Sequence, residues 1–85
     1  MVHRVRLFAV LREHAGSDLV EVEVPEGATV ADALRGIGEQ HRALAPALAS
    51  LSLVMAVNRE YAGEETVLHP GDELALIPPV SGGGR

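Results

Sequence analysis

The chain has 85 residues, a formal net charge of −5 at pH 7, no cysteine and no lysine. This length suits one small domain, whose core must be aliphatic because Phe8 and Tyr61 are its only aromatic residues. The negative charge argues against a nucleic-acid partner, and the lack of cysteine excludes disulfides and thiol chemistry. No apolar run reaches the roughly 18 residues of a membrane span and no signal peptide precedes the first strand pattern, so we expect a soluble, cytoplasmic protein without a membrane partner.

The first quarter of the chain predicts two strands joined by a short helix. Residues 2–8 alternate, which turns Leu7 towards a core and leaves Phe8 on the opposite face. Residues 9–15 lose that period and predict a short helix ended by a glycine. Residues 19–24 alternate again, with valines inward and glutamates outward.

One principal helix is predicted to begin at Thr29. Thr29 followed by Asp32 is typical of an N-cap with a carboxylate in the first turn, where the helix dipole favours negative charge. Apolar residues then recur at helical spacing, and the helix is expected to end near Arg42. Pro46 opens a further short turn, which we expect to run to Leu51.

The rest of the chain predicts a second group of strands. These segments are 53–57 in the centre of the sheet, a short return strand at 61–62, and a last strand at 73–77. Proline and glycine at the centre of His69–Asp72 predict a type II turn. In the last strand Ile77 is expected to point outward, on the face that carries Phe8. The order strand, strand, helix, strand, strand indicates an α+β fold with one helix covering a sheet.

A flexible tail is predicted after this domain. Pro78 and Pro79 end the last strand because neither has an N–H group and both fix φ in the extended region. Three glycines follow, and their backbone reaches conformations closed to other residues. We therefore place the domain at residues 1–80 and the glycine-rich tail at residues 81–85.

Within the domain, no residue pattern predicts an active site or a metal site. Four histidines lack metal-ligand spacing: His3, His14, His41 and His69. The neighbouring Glu64 and Glu65 are typical of a solvated loop rather than of an acid–base pair. No nucleophile motif, phosphate-binding loop or dinucleotide fingerprint occurs.

Several segments carry a family likeness. They are VRLFAVLRE at Val5–Glu13, AVNREY at Ala56–Tyr61, HPGDEL at His69–Leu74 and IPPVSGG at Ile77–Gly83. Together they resemble the small subunit of molybdopterin synthase, within the MoaD-like ThiS/MoaD family of ubiquitin-like sulfur carriers. The likeness covers nearly the whole chain, and its most specific part is the PPV-x-GG ending. Residues 29–51 match only as a helix.

The resemblance implies a β-grasp, ubiquitin-like fold with a mixed sheet of four to five strands on one main helix. It also implies a carrier subunit of a sulfurtransferase complex, with no active site and no bound cofactor of its own. An E1-like enzyme would use ATP and magnesium to adenylate the C-terminal glycine, which then becomes a thiocarboxylate. The sulfur would pass to a cyclic pyranopterin in the large synthase subunit, within a heterotetramer, during molybdenum cofactor biosynthesis.

The resemblance also assigns residues. The family's reactive glycine corresponds to Gly83, or to Gly84 if the chain is trimmed there. The residues implied to enter the partner are Ser81, Gly82, Gly83 and Gly84. The family's docking patch corresponds to Phe8, Tyr61 and Ile77, and Arg12 in the first helix is a further candidate for partner contact.

The chain departs from the family pattern after Gly83, because Gly84 and Arg85 follow it. We expect a processing protease to remove the residues beyond the reactive glycine. The alternatives are that Arg85 is an added residue, or that the protein has lost its carrier role.

Other functions also fit the pattern. The chain could carry sulfur to another product, such as the thiazole of thiamine, a thiolated tRNA base or cysteine. It could be a ubiquitin-like modifier conjugated to other proteins, although without lysine it cannot build chains on its own side chains. It could also be a β-grasp interaction module with an inert tail.

Overall fold

A computed structural model describes residues 1–79; residues 80–85, which include the predicted tail, lie outside the described residues. The elements in chain order are β1 (Val2–Leu7), α1 (Val10–Ala15), β2 (Leu19–Glu23), α2 (Val30–Gln40), a 3-10 turn (Arg42–Leu44), α3 (Ala45–Ser50), β3 (Val54–Val57), β4 (Glu60–Tyr61) and β5 (Glu73–Ile77). Each predicted strand is present. The short turn predicted after Pro46 is the helix α3, with that proline in its first turn.

The five strands form one mixed sheet in the order β2-β1-β5-β3-β4. The first and last strands of the chain, β1 and β5, are parallel neighbours at its centre. The pairs β1–β2, β3–β5 and β3–β4 are antiparallel. With α2 packed on one face, this is the mixed-sheet, helix-covered layout that was predicted.

The core lies between that face and α2. Its fully buried strand residues come from alternate positions: Val5, Leu7, Val22, Leu74 and Leu76. On α2 the buried side chains are Val30, Ala33 and Ile37, which recur at helical spacing. Gly36 lets the helix approach β2, because a Cβ there would lie 3.0 Å from Cγ2 of Val22. Within residues 1–79, no helix is long and apolar enough to cross a membrane.

The predicted N-cap of α2 is confirmed as a capping box. The Oγ1 of Thr29 accepts a hydrogen bond from the Asp32 N–H (3.2 Å), and the Thr29 N–H donates to the Asp32 carboxylate (3.0 Å). The helix ends at Gln40 rather than near Arg42. The chain then passes into the 3-10 turn, so the expected end was two residues late.

Two turns position β3, β4 and β5. The Asp72 N–H donates to the His69 carbonyl (3.0 Å) and Gly71 has φ of 86°, which confirms the predicted type II turn. Between β3 and β4, Asn58 and Arg59 have φ values of 52° and 72°, as in a type I′ turn. That turn matches the twist of paired strands and gives the chain its tight hairpin.

The Asp72 side chain and backbone link three segments around these turns. Its carboxylate accepts hydrogen bonds from the Asn58 side-chain amide (2.7 Å) and from the His69 N–H (2.8 Å). Its carbonyl accepts one from Nδ1 of His3 (2.9 Å), which is 1% exposed. The sequence analysis missed this burial, although His3 stands two residues before Val5 on the inward face of β1.

The pKa of Asp72 lies below its ordinary value, because the His69 N–H and then the Asn58 amide donate to the ionised carboxylate. A lowered folded-state pKa adds stability above the unfolded value of about 3.9, and this contribution is lost as the pH falls through the folded value. We expect Asp72→Asn to lower the free energy of unfolding by about 1–3 kcal/mol at pH 7 and to flatten the acid dependence. Urea unfolding at several pH values measures both. Asp18→Asn, at an exposed aspartate, is the control, and equal losses in the two variants would contradict the prediction.

Candidate functional site

The face of the sheet turned away from α2 is apolar over β3, β4 and β5. Val54 pairs with Ile77, Ala56 pairs with Ala75, and Tyr61 pairs with Ala56. Residues paired directly across strands share a face. Continuing the β1–β5 register by one residue brings Phe8 opposite Ile77. We call this set the apolar face: Phe8, Val54, Ala56, Tyr61, Ala75 and Ile77.

The large side chains of the apolar face are open to solvent. Phe8 is 41% exposed, Val54 43% and Tyr61 86%, while Ile77 is half-buried. Single exposed apolar residues are ordinary, but a contiguous group of them marks an interaction surface. The outward direction of Phe8 and Ile77, predicted from alternation, is confirmed.

A concavity of about 570 Å³ lies at the end of this face, where β5 leaves the sheet towards the tail. Its lining is aliphatic and aromatic: Phe8, Ala9, Val10, Leu51, Ile77, Pro78 and Pro79. The structure therefore brings together two of the candidate residues, Phe8 and Ile77, beside the base of the tail. A partner held here would lie next to the segment that leads to Gly83.

The other two candidates lie elsewhere. Tyr61 is on the apolar face but at its margin, on the short edge strand β4. Arg12 is exposed on α1 and is not part of the lining of the concavity. The tail residues Ser81 to Gly84 lie outside the described residues. Among residues 1–79, no three histidine, aspartate or glutamate side chains are grouped so that they could hold a metal ion.

The turn after β1 holds Phe8 at the rim of the concavity. Ala9 has φ of 54° and ψ of −125°, and the Leu11 N–H donates to the Phe8 carbonyl (3.2 Å), as in a type II′ turn. This conformation favours glycine and costs about 1–3 kcal/mol for other residues. The helix begins at Val10, whereas the sequence predicted a start at Ala9. Alanine gives no signal of a positive φ, so this turn could not be foreseen.

Charged side chains border the apolar face on β1 and β5. The Nε of Arg6 lies 3.2 Å from a carboxylate oxygen of Glu73, and both side chains are partly exposed. Arg6 pairs with Ala75, so the ion pair starts where the apolar residues end. Exposed ion pairs of this kind contribute little to the stability of the fold, but charges at the border of an interface help to orient a binding partner.

The sequence analysis missed part of this site. Val54 was taken only as one residue of a central strand, although its place between the inward Leu53 and Met55 could have marked it as outward. Leu51 was taken as the end of a turn, and Pro78 and Pro79 only as the end of a strand. Their meeting at one concavity depends on tertiary contacts that no local pattern encodes.

Comparison with known proteins decides the family. The sequence profile of the ThiS family matches residues 5–83. The chain belongs to the ThiS family. The resemblance found in the sequence is thus confirmed, and the match to the ThiS family ends at Gly83, the glycine that the resemblance had singled out.

The relatives of this ThiS-family chain match it over nearly its full length. A molybdopterin synthase sulfur carrier subunit of Chlamydomonas reinhardtii is 40% identical, over 94% of this chain and 96% of the relative. The small archaeal modifier protein 1 of Haloferax volcanii is 44% identical, over 92% and 97% of the two chains. A crystal structure of that modifier has a TM-score of 0.84 and 38% identity, over 96% of this chain and 99% of that chain. The predicted ubiquitin-like β-grasp fold is confirmed.

Proposed function

We propose that this chain is a sulfur carrier that acts as the small subunit of a molybdopterin synthase. The observation that carries this proposal is the continuity between the apolar face and the tail. Ile77 belongs to the apolar face, and the strand that contains it leads through Pro78 and Pro79 to the Gly82–Gly83 end of the family match. A partner that binds the face therefore receives the tail.

The chemistry belongs to the terminal carboxylate of Gly83. An oxygen of this carboxylate attacks the α-phosphorus of ATP, with magnesium held by the activating enzyme, and pyrophosphate leaves. A sulfide equivalent supplied by a donor then attacks the acyl carbon, AMP leaves, and a thiocarboxylate remains. Transfer of that sulfur to a cyclic pyranopterin and hydrolysis of the acyl group restore the carboxylate.

Residue types of the chain support this role. Glycines at 82 and 83 have no side chains, so the tail fits a narrow channel and its acyl carbon is unhindered. The absence of lysine removes the side-chain amines that would otherwise attack an activated acyl group. Sulfur held as an acyl thiocarboxylate also needs no cysteine, and the chain has none.

Two partners use the apolar face in turn. The first is an E1-like adenylating enzyme, and the second is the large synthase subunit, a dimer of which forms a heterotetramer with two carriers. Residues beyond Gly83 are removed by a protease before activation, because only a C-terminal glycine carboxylate enters this chemistry.

Intact mass measurement tests the proposal. The chain ending at Gly83 and the 85-residue chain are each incubated with an E1-like enzyme, ATP, magnesium and a sulfide donor. We expect the chain ending at Gly83 to gain the mass of one oxygen-to-sulfur exchange and the 85-residue chain to stay unchanged. An established carrier in the same mixture shows that the enzyme is active. If the chain ending at Gly83 gains no sulfur mass, the proposal is overturned. If the 85-residue chain gains it on Arg85, trimming is not required.

A second function, conjugation to other proteins, is favoured by the 44% identity to an archaeal protein named as a modifier. In that role the activated Gly83 forms an amide with a lysine of another protein instead of accepting sulfur. Mass spectrometry of tryptic peptides from cells that express the chain ending at Gly83 separates the two. Isopeptides on cellular lysines indicate a modifier, whereas a thiocarboxylate without them indicates a dedicated carrier.

A further inference from the structure

Side chains cover most of the outer edge of β2. Ser17 Oγ donates to the Leu19 carbonyl (2.9 Å) and accepts from the Leu19 N–H (3.2 Å). The Gln40 side chain binds the Glu23 backbone in the same way. Its Oε1 accepts a hydrogen bond from the Glu23 N–H (2.9 Å), and its Nε2 donates one to the Glu23 carbonyl (2.8 Å). Between them, Nε2 of His41 donates to the Glu21 carbonyl (2.6 Å).

The backbone groups bound in this way are the ones that a neighbouring strand would use. At the two ends of the β1–β2 pair, the Val24 N–H donates to the Met1 carbonyl and the Leu7 N–H donates to the Asp18 carbonyl, both at 2.9 Å. Hydrogen-bonding direction alternates along an antiparallel strand, so even-numbered residues face β1. Leu19, Glu21 and Glu23 therefore direct their N–H and C=O groups away from the sheet.

We propose that Ser17, Gln40 and His41 close this edge to pairing with a second copy of the chain. An open edge strand is a template for another strand, in self-association as in peptide recognition by strand addition. A second copy arriving here would have to displace five side-chain hydrogen bonds for its own ladder. The inference does not depend on the proposed function.

The other edge of the sheet is also a poor template. In the described part of the chain, β4 is the strand at that edge, and it consists of Glu60 and Tyr61 alone. Very short edge strands discourage further pairing. Partners are thereby directed to the face of the sheet that α2 leaves open, on which the apolar face lies.

Amide hydrogen exchange of the 85-residue chain, followed by NMR, tests the closure residue by residue. After correction for intrinsic rates, we expect the Leu19 and Glu23 amides to exchange about tenfold or more slowly than the Glu21 amide, which has no side-chain acceptor among residues 1–79. Gln40→Ala should accelerate Glu23 by a similar factor and leave Leu19 unchanged. Glu39→Ala, at the exposed neighbouring position, is the matched control. Equal rates at Glu21 and Glu23, or no response to Gln40→Ala, would overturn the proposal.

The consequence of this edge closure is tested by measuring self-association. The triple variant Ser17→Ala/Gln40→Ala/His41→Ala should dimerise in sedimentation experiments at concentrations where the original chain and Glu39→Ala remain monomeric, with NMR shift changes at residues 19–23. A folded triple variant that stays monomeric, or an original chain that already pairs through β2, would refute the closure. Should the triple variant fail to fold, the double variant Ser17→Ala/Gln40→Ala, which retains His41, decides by the same criterion.

Discussion

Replacing Phe8 and Ile77 together by alanine is expected to weaken binding of the large synthase subunit by about 30- to 1000-fold. Truncating central interface anchors costs about 2–4 kcal/mol, and these two side chains meet at one concavity beside the tail. Because Phe8 is 41% exposed, the free protein should keep most of its stability. Titration calorimetry with the large subunit measures the change in affinity.

The control for this experiment is Val67→Ala. Val67 is similarly exposed, at 44%, but it pairs with Thr29 and does not line the concavity that holds Phe8 and Ile77. Tyr61→Ala should have a smaller effect than the double change, because Tyr61 lies at the margin, where contacts remain solvated. Unchanged affinity in the double variant, or an equal loss in Val67→Ala, would show that docking uses another surface.

The Leu76→Ala variant is expected to lose about 2–5 kcal/mol of unfolding free energy. Leu76 is fully buried on β5, at the centre of the sheet, and its truncation leaves a cavity in the core. A domain of this size has a total stability of about 4–13 kcal/mol, so the loss is a large fraction of it. Urea unfolding followed by circular dichroism measures the difference.

Ile77→Ala is the matched control, one residue along the same strand and on the opposite face. Its half-buried side chain should contribute less than about 1.5 kcal/mol to stability, while its removal weakens partner binding. Leu76→Ala should show the reverse, with affinity retained wherever the protein is folded. Equal stability losses in the two variants would contradict the division of β5 into a core face and a binding face.

Much of the fold could be predicted because its signals are local. Alternation marked the strands and turned Phe8 and Ile77 outward, and the Thr29–Asp32 spacing gave the start of α2. Proline and glycine at His69–Asp72 gave the turn before β5. Each of these patterns acts over a few residues, which is the range at which a sequence can be interpreted directly.

The remaining features of the fold depend on long-range contacts, or on residues whose type gives no signal of their conformation. The parallel pairing of β1 with β5 joins the two ends of the chain, and nothing in either strand specifies it. Ala9 adopts a glycine-like conformation without a glycine to signal it. The apolar face could be assigned only in part, since Val54 and Leu51 join Phe8 and Ile77 through the sheet and not through sequence spacing. The proposal of a reactive glycine in the tail rests on family resemblance alone.

The central place of β5 has a consequence for the synthesis of the protein. Residues 2–7 are made well before their central neighbour, residues 73–77, because most of the domain lies between them in the sequence. Contacts between distant segments form slowly, and the sheet stays incomplete until residues 73–77 have been translated. The glycine-rich segment follows directly from β5, so a chain interrupted before this strand lacks both a completed apolar face and, under the proposed function, the glycine that carries sulfur. Under the proposed function, we therefore expect only folded molecules to be activated and loaded with sulfur, and no additional factor is needed to exclude incomplete ones.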